Sequence, residues 1–400
     1  MHTIKSKNRQ VLYISYNGID EPLVQSQVIN YLRELHTKGN DFHLLTFEKN
    51  QHTAVEKRRI QDGLESQGIR WHSLNYHRKP RLLATTLDIV SGIALCRRIV
   101  RKNRIVLIHS RSFIAALIAT FCKSRIPHLY DIRGFWVDEK SMKGSLAKNS
   151  WAYATGKWLE SSVYRKSAGI VSLTFAAKSE IESFPVWQQY TRPPISVIPT
   201  CVDVGSYTSH PPLRQWSELT FGYTGSIGSG YLAREMVAFF KSAYESDVAK
   251  EFLIVTKSDT YDLKRTLREF KTEPGSVLID SVEPEKIPST LNRFDVGLCF
   301  IQPHYSKMAS CPTKLGEYLA AGIPVVANSI GDVASIIREH RVGVVIDDFS
   351  KDGIADAMAE LRELLTDQRL QQRCLAVADE LFSLANGVNS YNCLYDEILC

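Results

Sequence analysis

The sequence predicts an α/β protein: two Rossmann-like, doubly wound parallel-sheet domains facing a cleft. Short β-branched or aromatic runs alternate with helix-length segments, the signature of stacked βαβ units. The alternation stops at a proline-rich stretch and then begins again. The length, 400 residues, is about two to three times that of a usual single domain. In the first half, strands are expected at 11–15, 42–47, 69–74, 106–109, 128–131, 169–173 and 196–198, with helical periodicity at 25–38 and 86–100. The segment Arg192-Pro-Pro, Ile198-Pro-Thr-Cys-Val-Asp and His210-Pro-Pro is the densest in proline and reads as a connection. Beyond it, strands are expected at 220–223, 252–255, 277–281, 296–300, 325–328 and 344–346. The boundaries that follow are a first domain at 1–200, a linker at 201–216, a second domain at 217–380 and a final helix at 381–400. Open parallel sheets bind ligands beyond the carboxyl ends of their strands, so the functional residues are sought there.

Composition narrows the classes. With 44% hydrophobic and 23% charged residues the chain is globular rather than disordered. MHTIKSKNRQ runs directly into a strand without an apolar signal region, so a cytoplasmic protein is expected. The longest apolar stretch, 113–122, is about half of the roughly 20 residues that span a bilayer. Eight cysteines stand without a C-x-x-C pair, which argues for reduced thiols and neither a zinc nor a disulfide frame. No D-x-D triad and no Walker A loop occurs, so no metal ligand set and no P-loop are assigned. Net charge is +6, but residues 1–200 carry 30 Lys and Arg against 15 Asp and Glu, or +15, and the remainder 19 against 28, or −9. Such asymmetry suggests that the first half faces an anionic surface or ligand. No nucleic-acid-binding motif accompanies it.

The segment 306–332, SKMASCPTKLGEYLAAGIPVVANSIGD, carries the most chemistry. Pro312 suits a first helical turn, with Ser310 or Cys311 at the cap. The free N–H groups of that turn make an anion site, to which Ser310, Thr313 and Lys314 add donors. Leu315, Tyr318, Leu319 and Gly322 form the buried stripe and leave Glu317 on the other face, where its carboxylate can accept from two ribose hydroxyls. An ordinary amphipathic helix with a solvated Glu317 satisfies the same pattern.

The run Pro312-Thr-Lys-Leu-Gly-Glu-Tyr-Leu-Ala-Ala-Gly-Ile-Pro-Val-Val-Ala resembles the nucleotide-sugar signature of family 4-type glycosyltransferases with the two-Rossmann (GT-B) fold. GIDEPLVQSQVINYLREL (18–35) is similar to the first loop and helix of the acceptor domain in that family, and Ile198-Pro-Thr-Cys-Val-Asp to the stretch that ends it. YTGSIGSGY (223–231) resembles the glycine loop that opens the donor domain, and the last helix resembles one that crosses back to the first domain. The resemblance implies donor-binding roles for Gly225, Ser226, Ser310, Thr313, Lys314 and Glu317. Two departures stand out. Where much of the family has a first glutamate eight positions before the second, this chain has Ala309, and Ser226 and Ser229 stand where the glycine loop usually offers Arg and Lys. Lys257 and Lys314 are the candidate replacement cations. Lys257 is read equally well as a solvated loop lysine.

In the first half, Ile108-His-Ser-Arg-Ser and Tyr130-Asp-Ile-Arg-Gly-Phe-Trp-Val-Asp-Glu each follow a strand directly. By position the resemblance gives Arg133 the place near the anomeric centre, with Asp131 and His109 as catalytic partners. An arginine there stabilises phosphate charge rather than acting as a base. Arg111, Asp138, Glu139, Gly18 and Gln25 are assigned to the acceptor; a structural histidine, a solvated loop, a turn glycine and a helix cap are the plain readings of His109, of Asp138 with Glu139, of Gly18 and of Gln25. In 81–104, Leu83, Leu87, Val90 and Ala94 share helical spacing and five cations follow from Arg97 onward, a pattern that suits anionic lipid headgroups and also a solvated Rossmann helix.

The expectation is therefore a metal-independent, retaining glycosyltransferase without a cofactor, peripheral on the inner membrane face. It would use a nucleotide-diphosphate sugar as donor and a lipid-linked or growing saccharide as acceptor, in bacterial surface polysaccharide assembly. A nucleotide-sugar epimerase of the same fold and an inactive nucleotide-sugar-binding protein are the alternatives.

Overall fold

A computed structural model describes residues 8–50, 52–122, 125–208, 218–228 and 230–400. The chain forms two compact units, Met1–Ile198 with Gly387–Cys400, and Pro199–Asn386. In the first, seven strands form one sheet: β1 (Arg9–Ser15), β2 (Asn40–Glu48), β3 (Ile69–Asn75), β4 (Ile105–Arg111), β5 (His128–Asp131), β6 (Gly169–Ser172) and β7 (Ile195–Val197). Their order is β3-β2-β1-β4-β5-β6-β7 and every pairing is parallel. Helices cover the sheet, so its central strands are apolar on both faces, as Val11, Leu12, Ile14, Leu44, Leu45, Leu107 and Ile108 show by their complete burial.

The second unit holds six parallel strands: β8 (Leu219–Thr224), β9 (Ala249–Val255), β10 (Val277–Asp280), β11 (Val296–Cys299), β12 (Val325–Ala327) and β13 (Gly343–Val345), in the order β10-β9-β8-β11-β12-β13. One core, including Phe221, Phe239, Phe240, Phe252, Leu298, Leu315 and Tyr318, joins this sheet to its helices. In each unit the connections reverse direction once, between β1 and β4 and between β8 and β11. Ligands of doubly wound sheets sit at the carboxyl ends of strands at such a reversal.

The expected fold class is borne out, and all thirteen strands lie where the sequence reading puts them, with ends shifted by a few residues. The connections differ more. Part of the 201–216 linker, 209–216, lies outside the described residues. Its beginning is packed structure within the second unit: Val202 pairs with Ser383 as a parallel bridge, donates to the Phe382 carbonyl at 2.8 Å and accepts from the Leu384 N–H at 2.8 Å. A helix at Gly205–Thr208 follows. Over its described part, 192–208, the proline-dense stretch thus holds packed structure. The final helix, Leu384–Leu399, begins after an extended Ser383 (φ −69°, ψ 138°) that ends the helix Leu370–Phe382. The expected 25–38 helix begins earlier, at Pro22, and passes through a π turn at Gln25–Ile29 before Asn30–Thr37. No helix of the described residues is long and apolar enough to cross a membrane.

Candidate active site

In the second unit the switch point is built from two loops. After β8 the chain turns at Gly225, whose φ of +120° favours glycine. Ser229 lies outside the described residues. The loop is tied to the end of β11 by a Tyr231–Ile301 bridge, by the Leu232 N–H on the Phe300 carbonyl (3.0 Å) and by the Gln302 N–H on the Gly230 carbonyl (3.1 Å). The helix Thr313–Ala320 starts beside them. Its buried stripe is as expected, and Tyr318 uses its hydroxyl to accept the Thr224 N–H at 2.8 Å, fixing the helix to the end of β8.

The cap differs from expectation. Pro312 (φ −69°, ψ 127°) occupies it, and no side chain caps the helix. Ser310 and Cys311 are engaged elsewhere. The Ser310 N–H closes the preceding 3-10 turn on the Lys307 carbonyl (2.9 Å), and Cys311 receives Thr200: Oγ1–H on its carbonyl at 2.8 Å and N–H near its Sγ at 3.5 Å. Among the described residues the first turn therefore has no capping side-chain acceptor, the condition under which its N–H groups can receive an anion.

Lys314 is the central group. Only 5% of it is exposed, and its Nζ has no hydrogen-bond partner among the described residues. It stands 4.0 Å from the Tyr223 ring centroid and 3.7 Å from that of Tyr231. A Cβ at Gly225 would lie 3.2 Å from Nζ, so the ammonium sits directly against the glycine turn. Burial pushes its pKa down to about 8. Aromatic faces stabilise a cation but offer no acceptor in the sense of a phosphate oxygen. Three N–H donors are thus held, largely dehydrated, beside an uncapped helix start.

Glu317, one turn onward, is partly buried and accepts from the Tyr207 hydroxyl at 3.3 Å. Burial raises its pKa. Thr313 and Ser310 are partly buried, and Ala309 is buried at the end of the 3-10 segment Tyr305–Ala309. Ser226 is exposed, its carbonyl taken by the Tyr223 hydroxyl at 2.6 Å. Lys257 follows β9 but is solvent-exposed and paired with Glu283 at 2.7 Å, so of the two candidate cations Lys314 alone is buried against the glycine loop.

In the first unit the structure gathers His109, Arg111, Asp131 and Arg133 at the ends of β4 and β5. Arg133 donates to Asp131 Oδ2 through Nε (3.1 Å) and Nη2 (2.7 Å), and Tyr391 of the final helix donates to the same oxygen at 3.1 Å. Burial would raise the Asp131 pKa, but Arg133, His109 and Arg111 hold it at about 2. His109 Nδ1 lies 2.7 Å from the Tyr395 hydroxyl and its Nε2 3.7 Å from Asp131 Oδ2; burial lowers its pKa, which keeps the ring neutral at pH 7. Arg133 Nη1 and Arg111 Nε are buried without hydrogen bonds to described residues. The cluster therefore retains unused donors beside a carboxylate that is engaged through Oδ2, its Oδ1 having no hydrogen bond to a described residue.

The remaining candidates are not part of that cluster's bonding. Gly18 packs on the end of β2, where a Cβ would meet Glu48 Oε2 at 2.8 Å. Gln25 donates to the Ile19 carbonyl at 2.7 Å. Asp138 and Glu139 lie in the first turn of a helix, Trp136–Met142, rather than in an open loop. Asp138 is buried and accepts from Tyr153 (2.6 Å) and Lys157 (3.0 Å), while Glu139 pairs with Lys143 at 2.7 Å. Sequence reasoning missed five tyrosines: 207, 223, 231, 391 and 395. Four of them stand in segments singled out above, Tyr223 and Tyr231 in the glycine loop and Tyr391 and Tyr395 in the last helix, but nothing in their spacing marks them as partners of charge.

Two units with this strand order each carry a switch point of the kind at which doubly wound sheets bind ligands, and the second presents a cation and a helix start there. Two family models match the chain, a Glycosyl transferase 4-like domain over residues 24–200 and Glycosyl transferases group 1 over residues 218–363. The chain belongs to the family 4-type glycosyltransferases of the GT-B fold, and it is a glycosyltransferase. Among solved structures it is similar to a glycosyltransferase from Rickettsia africae (14% identity, TM-score 0.68, covering 98% of this chain and 99% of that one). It is also similar to Anabaena HepE in complex with UDP and glucose (11%, 0.68, 98% and 100%) and to the lipopolysaccharide outer core galactosyltransferase WaaB (12%, 0.64, 97% and 99%). No curated protein matches the sequence.

The Lys314 pKa has a thermodynamic consequence. Below about pH 8 the lysine is charged in both folded and unfolded chains, so its burial destabilises the fold; between 8 and 10.5 the unfolded chain binds the proton that the folded one has lost, and the cost fades. Lys314→Met should stabilise the protein at pH 7 by roughly 1–3 kcal/mol, with the gain shrinking toward pH 10. Urea unfolding of both proteins across that range measures it.

Proposed function

We propose that the protein moves a sugar from a nucleoside-diphosphate sugar to a saccharide or lipid-linked acceptor in bacterial surface polysaccharide assembly, with retention at the anomeric carbon and without a metal. The observation that carries the donor reading is Lys314, a buried ammonium with unused donors at an uncapped helix start, which suits a diphosphate. Glu317 lies one turn beyond, where its carboxylate would accept the ribose hydroxyls and exchange its long contact with Tyr207 for them. That HepE was solved with UDP and with UDP-glucose supports the same donor class, and that WaaB and WaaG act in lipopolysaccharide synthesis supports the acceptor class.

In the transfer the bond from the anomeric carbon to the diphosphate oxygen breaks and a bond to the acceptor hydroxyl oxygen forms on the same face. The hydroxyl proton leaves with the departing phosphate. Arg133 is assigned the stabilisation of that phosphate's charge, through its unused Nη1; Asp131 and Tyr391 orient the guanidinium, and neutral His109 supports Asp131. Release of nucleoside diphosphate in proportion to glycosylated acceptor identifies the transferase, whereas binding without release on any membrane extract overturns the proposed reaction. Glu317→Ala should weaken binding of the donor nucleotide by about 2–3 kcal/mol through loss of two ribose hydrogen bonds. Unchanged affinity by calorimetry contradicts the ribose assignment.

The proposal extends to a peripheral place on an anionic membrane. In the helix Arg81–Lys102, Leu83, Leu87 and Val90 are 64%, 58% and 59% exposed, and Ala94 continues the stripe in solvent. The face that anchors this helix is partly polar: Asp88 is buried and accepts from Tyr16 (2.7 Å), with His77 Nδ1 2.6 Å away. Arg98, Arg101 and Lys102 follow the stripe and are exposed, while Arg97 is used on the carbonyls of Phe121 and Cys122. An apolar stripe beside exposed cations suits an interface of acidic headgroups. The full chain should sediment with phosphatidylglycerol vesicles and much less with phosphatidylcholine. Leu83→Ser with Leu87→Ser and Val90→Ser should lower the bound fraction at least about tenfold, by loss of the buried apolar area. Equal binding to both lipids excludes the electrostatic part.

A further inference from the structure

We propose that Asp20, Glu48 and His52 form a divalent-metal site in the first unit, suited to a borderline transition ion such as Zn²⁺. The three residues converge from the loop after β1, the end of β2 and the loop that follows it. One ligand atom of each lies within 4.8 Å of the others. His52 Nε2 is 3.3 Å from Asp20 Oδ2 and 3.6 Å from Glu48 Oε2. Ligands bound at the usual Zn–N and Zn–O lengths of about 2.0–2.2 Å in a tetrahedron stand about 3.3–3.6 Å apart, so both separations match a shared ion.

The second observation is the imidazole itself. The His52 side chain is only 8% exposed, and Nε2 makes no hydrogen bond with any described residue although two carboxylate oxygens face it. A ring that served only as an ion-pair partner would aim its N–H at one of them. Glu48 is held for the purpose: its carboxylate accepts from Thr46 Oγ1–H and from the Ile19 N–H (3.2 and 3.0 Å to its two oxygens), and Thr46 Oγ1 in turn accepts from Trp71 Nε1–H at 2.7 Å. The edge of His52 packs on the Trp71 ring, with centroids 5.9 Å apart. Such outer contacts orient metal-binding side chains. Imidazole beside two carboxylates selects against Mg²⁺ and Ca²⁺, which prefer all-oxygen sets. Asp20 and His52 also line a cavity of about 510 Å³ with Gln25, Arg33 and Arg59, which leaves the fourth position of the ion accessible to water or a ligand. A bound ion would pin the loop of Gly18 to the end of β2. The inference is independent of the donor reading, since every ligand comes from the first unit.

Protein stripped with a chelator and desalted is titrated with Zn²⁺ by calorimetry and with Co²⁺ by visible absorption. The expected result is one ion per chain and a cobalt spectrum without sulfur-to-metal charge transfer. Affinity should fall at least about tenfold in Asp20→Asn and in His52→Gln and stay unchanged in the double variant Cys393→Ser, Cys400→Ser, which removes the two exposed thiols. Asp20 is exposed, so Asp20→Asn tests the site without disturbing the core, and its thermal melt without metal should match that of the unaltered protein. Absence of stoichiometric binding overturns the proposal. So does binding that survives both ligand substitutions, or a thiolate spectrum that disappears with the cysteines.

Discussion

A charged ammonium group kept from water with no acceptor is expensive, and the second unit is organised around one. Lys314 lies over Tyr223 from the end of β8 and Tyr231 from the glycine loop, on a helix whose Tyr318 is hydrogen-bonded to β8. Each of these residues is also part of, or packed against, the core of the unit. The lysine cannot swing into solvent without giving up that packing, and among the described residues it has no hydrogen-bond acceptor. Such a group stays in a fold when something that arrives later completes it, and a diphosphate brings both the charge and the oxygens.

The first unit solves a related problem differently. Asp131 is wholly buried yet held ionised by Arg133, with Tyr391 and His109 filling in around it. Removing one partner of such a group leaves a buried charge uncompensated, so the network binds its members into one arrangement. Two of the tyrosines come from the last helix, more than 250 residues away in sequence from the strands they serve. The chain returns to its first unit at Gly387, and the network is complete only because it does.

The strands were legible because a sheet covered on both faces demands continuous apolar runs, such as VLYI in β1 and FLIV in β9, which little else in the sequence imitates. The start of the 313 helix was legible from Pro312, and its stripe from Leu315, Tyr318 and Leu319. The cap was misplaced because Ser310 and Cys311 are drawn away by Lys307 and by Thr200, 111 residues distant, contacts that no local pattern encodes. For the same reason Tyr207, read as linker, was not connected with Glu317. The helix at 81–102 shows the opposite case: its apolar spacing was visible, but only the buried Asp88 reveals that the stripe faces solvent. Asp20, Glu48 and His52 carried no signal, since their spacing across two loops matches no ligand motif.

The most direct test is the titration of Lys314 itself. Its side-chain carbon resonance, assigned by its absence from Lys314→Met, is followed by NMR from pH 6 to 11 with and without a nucleoside diphosphate. The account predicts a midpoint of about 8 in the free protein, moving up toward the ordinary 10.5 when the nucleotide binds. A midpoint near 10.5 in the free protein, or one near 8 that saturating concentrations of UDP, GDP and ADP leave unmoved, would contradict it.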